Sequence, residues 1–181
     1  MTAADPPAWT APVPARAEPR LCTDERPALE DWIAYHRATL LSKCAGLSAE
    51  QLKQRAAAPS ALSLLGLVRH MTLVERWWFR MLAAREDLEF LYTTEDRLTA
   101  DFGDVDDADA PENLAAFERE CAAADAAVAG IGLDEVVPSR DNHPERVRNL
   151  RWIYLHMIEE YARHNGHADL LREAIDGTTG D

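Results

Sequence analysis

The stretch LRWIYLHMIEEYARHNGHADLLREAI, residues 150 to 175, constrains this chain more than any other. Leu150, Ile153, Met157, Ala168, Leu171 and Ile175 recur at helical spacing, so the segment is predicted to be one long helix with an apolar stripe. At about 100° per residue, His164 falls near the middle of that stripe and Glu160 about 50° from it, one turn earlier. A carboxylate and an imidazole turned toward a core need a partner, because burying either without one costs several kcal/mol. A metal ion is one candidate, since the four-residue spacing stacks both side chains on one face.

A second helix is predicted from Ser63 to Ala84, with Leu67, Met71, Val74, Trp77, Trp78 and Met81 on its buried side. His70 lies about 40° from the centre of that face. A lone histidine there would read as hydrogen-bonded core. Set against Glu160 and His164, it completes three ligands from two helices with one position open, the stoichiometry of a catalytic zinc site. The run Trp77-Trp78-Phe79 reads as packing.

The rest of the chain supplies a frame for these two helices. Residues 1 to 22 form a Pro/Ala-rich arm with five prolines in the first 20 residues, expected to be extended and flexible, with Trp9 available to pin it to the surface or to a second subunit. From Thr23 a first helix is signalled by Leu29, Trp32, Ile33, His36, Leu40 and Leu41, ending at Gly46; His36 reads as a core or edge histidine. Ser48 and Gln51 are spaced as a capping box for a short helix that Pro59-Ser60 breaks. Residues 91 to 113 are acidic, turn-rich and without period, a long crossover. A third helix follows, with Pro111 in its first turn and Gly130 and Gly132 ending it. The segment from Gly132 to Val147 is irregular, with His143 expected to be exposed. No strand is predicted. The fold class is all-α, a four-helix bundle with one long crossover loop over residues 23–178, leaving 179–181 as a tail.

Charge narrows the partners. With 181 residues and a formal net charge of −13, the chain is unsuited to nucleic acid or to an anionic membrane surface as a main partner. No apolar run reaches membrane-spanning length and no basic-then-apolar leader opens the sequence, so a cytoplasmic location is expected. Cys22, Cys44 and Cys121 are far apart and outside any CxxC arrangement, which reads as three reduced thiols.

The segments LVRHMTLVERWWF and LRWIYLHMIEEYARHNGHADLLREAIDG resemble the DinB-like superfamily, in particular its actinobacterial branch. They are also similar to mycothiol-dependent maleylpyruvate isomerase and to mycothiol and bacillithiol S-transferases. The resemblance spans roughly residues 25 to 178. It implies an up-down-down-up bundle and a divalent metal, zinc or nickel, held by His70, Glu160 and His164, a His-Glu-His set like that of the isomerase branch.

Open positions on such a metal take water or a thiolate, and a coordinating thiol is deprotonated outright. The expected function is therefore a divalent-metal-dependent thiol S-transferase or isomerase, using a low-molecular-weight thiol of the mycothiol kind against a small electrophilic substrate. The alternatives are a hydrolase using metal-bound hydroxide and a non-catalytic metal-binding or stress-associated protein. His167, about 70° off the stripe, is expected to act in catalysis by orienting a metal-bound group. Arg151, Tyr161 and Arg163 are candidates to contact an anionic thiol cofactor, His156 at the edge of the face remains a competing ligand, and a homodimer is the expected assembly.

Overall fold

A computed structural model describes residues 8–94, 96–138 and 146–180. His143 lies outside the described residues. Four long helices carry the molecule: α1 (Glu25–Cys44), α3 (Leu64–Glu75, continued by a π-helical segment Arg76–Ala83), α5 (Ala110–Val128) and α6 (Leu150–Asp176). Two short helices, α2 (Ala49–Lys53) and α4 (Ala100–Gly103), lie in the connections.

Side-chain contacts give the helix directions. Along α1 and α6, Arg151 meets Glu25, Asn165 meets His36 and Arg172 meets Lys43, so these two run parallel. Along α3 and α5, Arg69 meets Asn113 and Arg76 meets Glu120, again parallel. His70 faces His164 while Trp78 faces His156, so α3 and α6 are antiparallel. The order is up-down-down-up, and the parallel α3–α5 pair is what the long crossover makes possible.

The core is a layer of Ile33, Leu40, Leu67, Met71, Phe117, Ile153, Met157 and Leu171, each no more than 1% exposed. Each such side chain contributes on the order of 1.5–3 kcal/mol on burial. Across this apolar layer runs one charged connection. The Glu75 carboxylate, fully buried, accepts from Arg37 at 2.7 and 2.8 Å and from the Tyr161 hydroxyl at 2.6 Å, and Arg37 also reaches Asp125. One network thus ties α1, α3, α5 and α6.

Local signals explain most helix ends. Ser48 and Gln51 form the predicted capping box, and the Ser63 hydroxyl accepts from the Gly66 amide to start α3. Gly177 ends α6 in the left-handed region, φ 79°. Gly66 serves a second purpose: a Cβ there would lie 3.1 Å from the Phe102 carbonyl oxygen, so its absence lets α4 sit directly on α3.

Three details differ from the sequence reading. The second helix is not uniform, since the Ala84 amide bonds to the Phe79 carbonyl, the five-residue pattern of a π turn. A strand pair exists, β1 (Val136–Val137) against β2 (Arg148–Asn149), too short to show any period in the sequence. The arm is extended, but its described part is docked rather than free. Thr10 bridges to Ser48, Ala11 exchanges backbone hydrogen bonds with Gly46 and Leu47, and Arg20 pairs with Asp31. The pin is Ala11, 3% exposed, while Trp9 stays exposed. Among the described residues, no helix is long and apolar enough to cross a membrane.

Candidate metal centre

The two helices singled out by their polar residues meet where those residues lie. His70 from α3 and Glu160 and His164 from α6 offer one ligand atom each within 4.8 Å of one another. Glu160 Oε2 is 3.5 Å from His164 Nε2, and the His70 and His164 ring centroids are 4.8 Å apart. Tetrahedral bonds of about 2.1 Å place ligand atoms about 3.4 Å apart. The α6 pair already matches that separation. Two imidazole nitrogens and one carboxylate oxygen suit zinc or a neighbouring divalent ion.

Each imidazole is held from behind. His70 Nδ1 lies 2.8 Å from Asp101 Oδ2, which leaves Nε2 for the centre. His164 Nδ1 lies 3.3 Å from His167 Nδ1, which leaves its Nε2 toward Glu160. Outer partners of this kind fix the ring and the tautomer of a ligating histidine. Asp101 is 3% exposed, and its second oxygen, Oδ1, is buried with no hydrogen-bond partner. A buried carboxylate with one oxygen committed to an imidazole and the other orphaned is costly unless it serves a site.

Asp101 is the residue at this cluster that the sequence did not single out. It sits on four-residue α4 inside the acidic crossover, where no periodicity marks it. Its neighbour Phe102 stacks on His70 with centroids 4.3 Å apart and covers one face of that ring.

Burial, the neighbouring His70 and His167 rings and the Arg163 charge push His164 down to about 4. His164 is therefore neutral, with a free lone pair, throughout the neutral pH range.

The remaining sequence candidates divide. Arg163 stands beside the centre, its Nη1 3.6 Å from Glu160 Oε2 and its other arm on Glu159. Arg151 is at the far end of α6, about 14–20 Å along the helix from Glu160 and His164, paired with Glu25 and Asp134. Tyr161 is fully buried and donates to Glu75, on the side of α6 facing the core. The structure brings neither Arg151 nor Tyr161 to the centre. His156 forms an alternative cluster with Glu159 and Glu160, but its two nitrogens face different carboxylates, at 3.4 and 3.6 Å. Its ring is packed between Trp78 and Trp152. His36 stacks on Tyr161, an edge-of-core histidine as expected.

No cysteine joins the centre among the described residues. Cys44 is fully buried and burial pushes its thiol up to about 12; Cys121 is buried and pushed up likewise, and Cys22 is exposed. A family model described as Mycothiol-S-transferase matches residues 28–177. No curated protein matches the chain.

Proposed function

The chain belongs to the mycothiol S-transferase family, and from that premise we propose that it is a divalent-metal-dependent S-transferase joining a small thiol to an electrophile. The observation that carries this reading is the His70–Glu160–His164 cluster, in which both imidazoles have an outer partner and no cysteine of the chain takes part. His70 Nε2, Glu160 Oε2 and His164 Nε2 would hold the metal. A zinc-like ion bound there would lower the pKa of a coordinating thiol and keep it nucleophilic at neutral pH.

The chain's own groups prepare that event. Asp101 holds the His70 proton on Nδ1, so the lone pair on Nε2 faces the centre. His164, neutral because of its burial, does not compete with protons for its ligand role. Phe102 packs on one face of the His70 ring. His167, half-buried beside His164, stands at its Nδ1 and orients that ring with Nε2 toward the centre. Arg163, half-exposed at the Glu160 edge, is the cation placed for the anionic part of an incoming thiol, a role in which Arg151 and Tyr161 have no share.

Metal analysis with a thiol-consumption assay tests the proposal. Purified chain should carry close to one divalent ion, lose it in His164→Ala, and conjugate a soft electrophile only with both metal and added mycothiol. Glu160→Gln should weaken metal binding while the bundle stays folded, because the amide is nearly isosteric and a far poorer ligand. Chain offered zinc and nickel that retains neither would refute the metal. Metal-loaded chain inert with mycothiol would refute the reaction.

A further inference from the structure

Between α3 with its continuation, α5 and the crossover lies a second cleft of about 570 Å³. That volume lies within the range of small-molecule sites. Its walls carry Arg69, Arg76, Arg80 and Arg119 against Asp109, Glu112 and Glu120, four cations to three carboxylates. Glu86 adds a fourth carboxylate through Arg80, so the cleft is balanced in charge within a chain of net charge −13.

Three of the four arginines are paired with carboxylates. Arg76 pairs with Glu120, Arg80 with Glu120 and Glu86, and Arg119 with Glu112. Arg69 differs. It is 8% exposed, yet its hydrogen bonds go to the Asp101 and Ala100 carbonyls at 3.0 and 3.2 Å and to Asn113 Oδ1 at 3.2 Å, all neutral acceptors. Of the five N–H donors of a guanidinium, these use three.

The neighbouring geometry presents what is left of Arg69. Its guanidinium lies 4.1 Å over the Tyr92 ring, which fixes the plane and directs the donors in-plane. Tyr92 is held at φ 64°, a conformation uncommon outside glycine and kept only where surroundings impose it. Leu91, Ala116 and Ala123 give the cleft an apolar floor. A buried cation whose hydrogen bonds all go to neutral acceptors, lining a roomy cleft, is suited to receive a negative charge.

We propose that this cleft binds a small oxyanion, a carboxylate or phosphate carried on a compact apolar body, with Arg69 supplying the counter-charge. The site is distinct from the metal centre and independent of the transferase reading. The two share α3, where Arg69 directly precedes His70, and α4, whose Asp101 carbonyl accepts from Arg69 while its carboxylate holds His70.

Titration calorimetry of the intact chain at low ionic strength tests this, with inorganic phosphate and benzoate as separate probes. At least one should bind once per chain, equally well in His164→Ala. Phosphate alone identifies a phosphate-bearing ligand, benzoate alone a carboxylate, and both a general oxyanion site. Arg69→Gln should weaken binding at least about tenfold, the scale of a hydrogen bond to a charged group. Since Arg69 also steadies α4, Ala116→Glu provides the second variant: it sets a carboxylate into the cleft from a half-buried wall position and should block the probe to the same degree. No binding of either probe at millimolar concentration would overturn the proposal. So would binding lost in His164→Ala, which would place the anion at the metal, or binding undiminished in Ala116→Glu.

Discussion

Replacing Asp101 by asparagine keeps the shape of the side chain and removes its charge, which isolates what the carboxylate does for the metal centre. The contact at stake is a 2.8 Å approach to His70 Nδ1 made by a group 3% exposed, so solvent neither screens it nor substitutes for it. An amide oxygen can still accept from Nδ1–H, but it no longer raises the basicity of the ring, and the amide can turn its NH₂ toward the imidazole instead. Loss of such an outer partner typically costs 10–100-fold in metal affinity, about 1.4–2.7 kcal/mol. The bundle itself should not suffer, because the orphaned Oδ1 shows that the carboxylate is only half satisfied as it stands. Competition against a chromogenic chelator reads the zinc affinity of wild type and Asp101→Asn at one pH, with circular dichroism confirming the fold. A folded variant binding zinc within about twofold of wild type would show that His70 needs no such orientation, contrary to the rule for ligating histidines.

Glu75→Gln breaks a buried charge pair and leaves Arg37 with only its exposed partner Asp125; urea denaturation should show a loss of about 3–5 kcal/mol with metal content unchanged, and a loss under about 1 kcal/mol would contradict the network. In metal-free chain, His164 titrates near 4 when folded against an ordinary 6.5, so the folded state binds fewer protons between those values. Stability should therefore fall as pH drops from about 6.5 toward 4, and the dependence should shrink in His164→Ala; a melting temperature equally pH-dependent in both proteins would remove His164 as its source. Cys22→Ser should leave thiol-dependent conjugation intact, whereas activity present without added thiol and lost in this variant would make Cys22 the nucleophile.

The sequence showed what periodicity can show. Leu67, Met71 and Trp78 on one helix and Ile153, Met157 and Leu171 on another mark two buried faces, and polar residues on such faces stand out because burial without a partner is costly. His70, Glu160 and His164 were legible for that reason. Asp101 was not, because its burial comes from where α4 lands on Gly66, a contact between segments far apart in the chain. Tyr161 and Glu75 carry polar groups into the core, but which charge would answer them depends on Arg37 from a third helix. Arg151 shares a helix with the centre without sharing its end. The two-residue strands and the π turn lie below the length at which a pattern can repeat.

The Glu75–Tyr161 contact also sets the alignment of the centre. Glu75 lies five residues beyond His70 on α3, and Tyr161 directly follows Glu160 on α6. Apolar helix faces are forgiving, since a slip of one turn, about 5.4 Å, can bring one leucine where another stood. A hydroxyl that must meet one particular carboxylate tolerates no such slip. The same slip would carry His70 past Glu160 and His164, so the interior pair works as a vernier, reading the axial position of α3 against α6 before any ion is there to measure it.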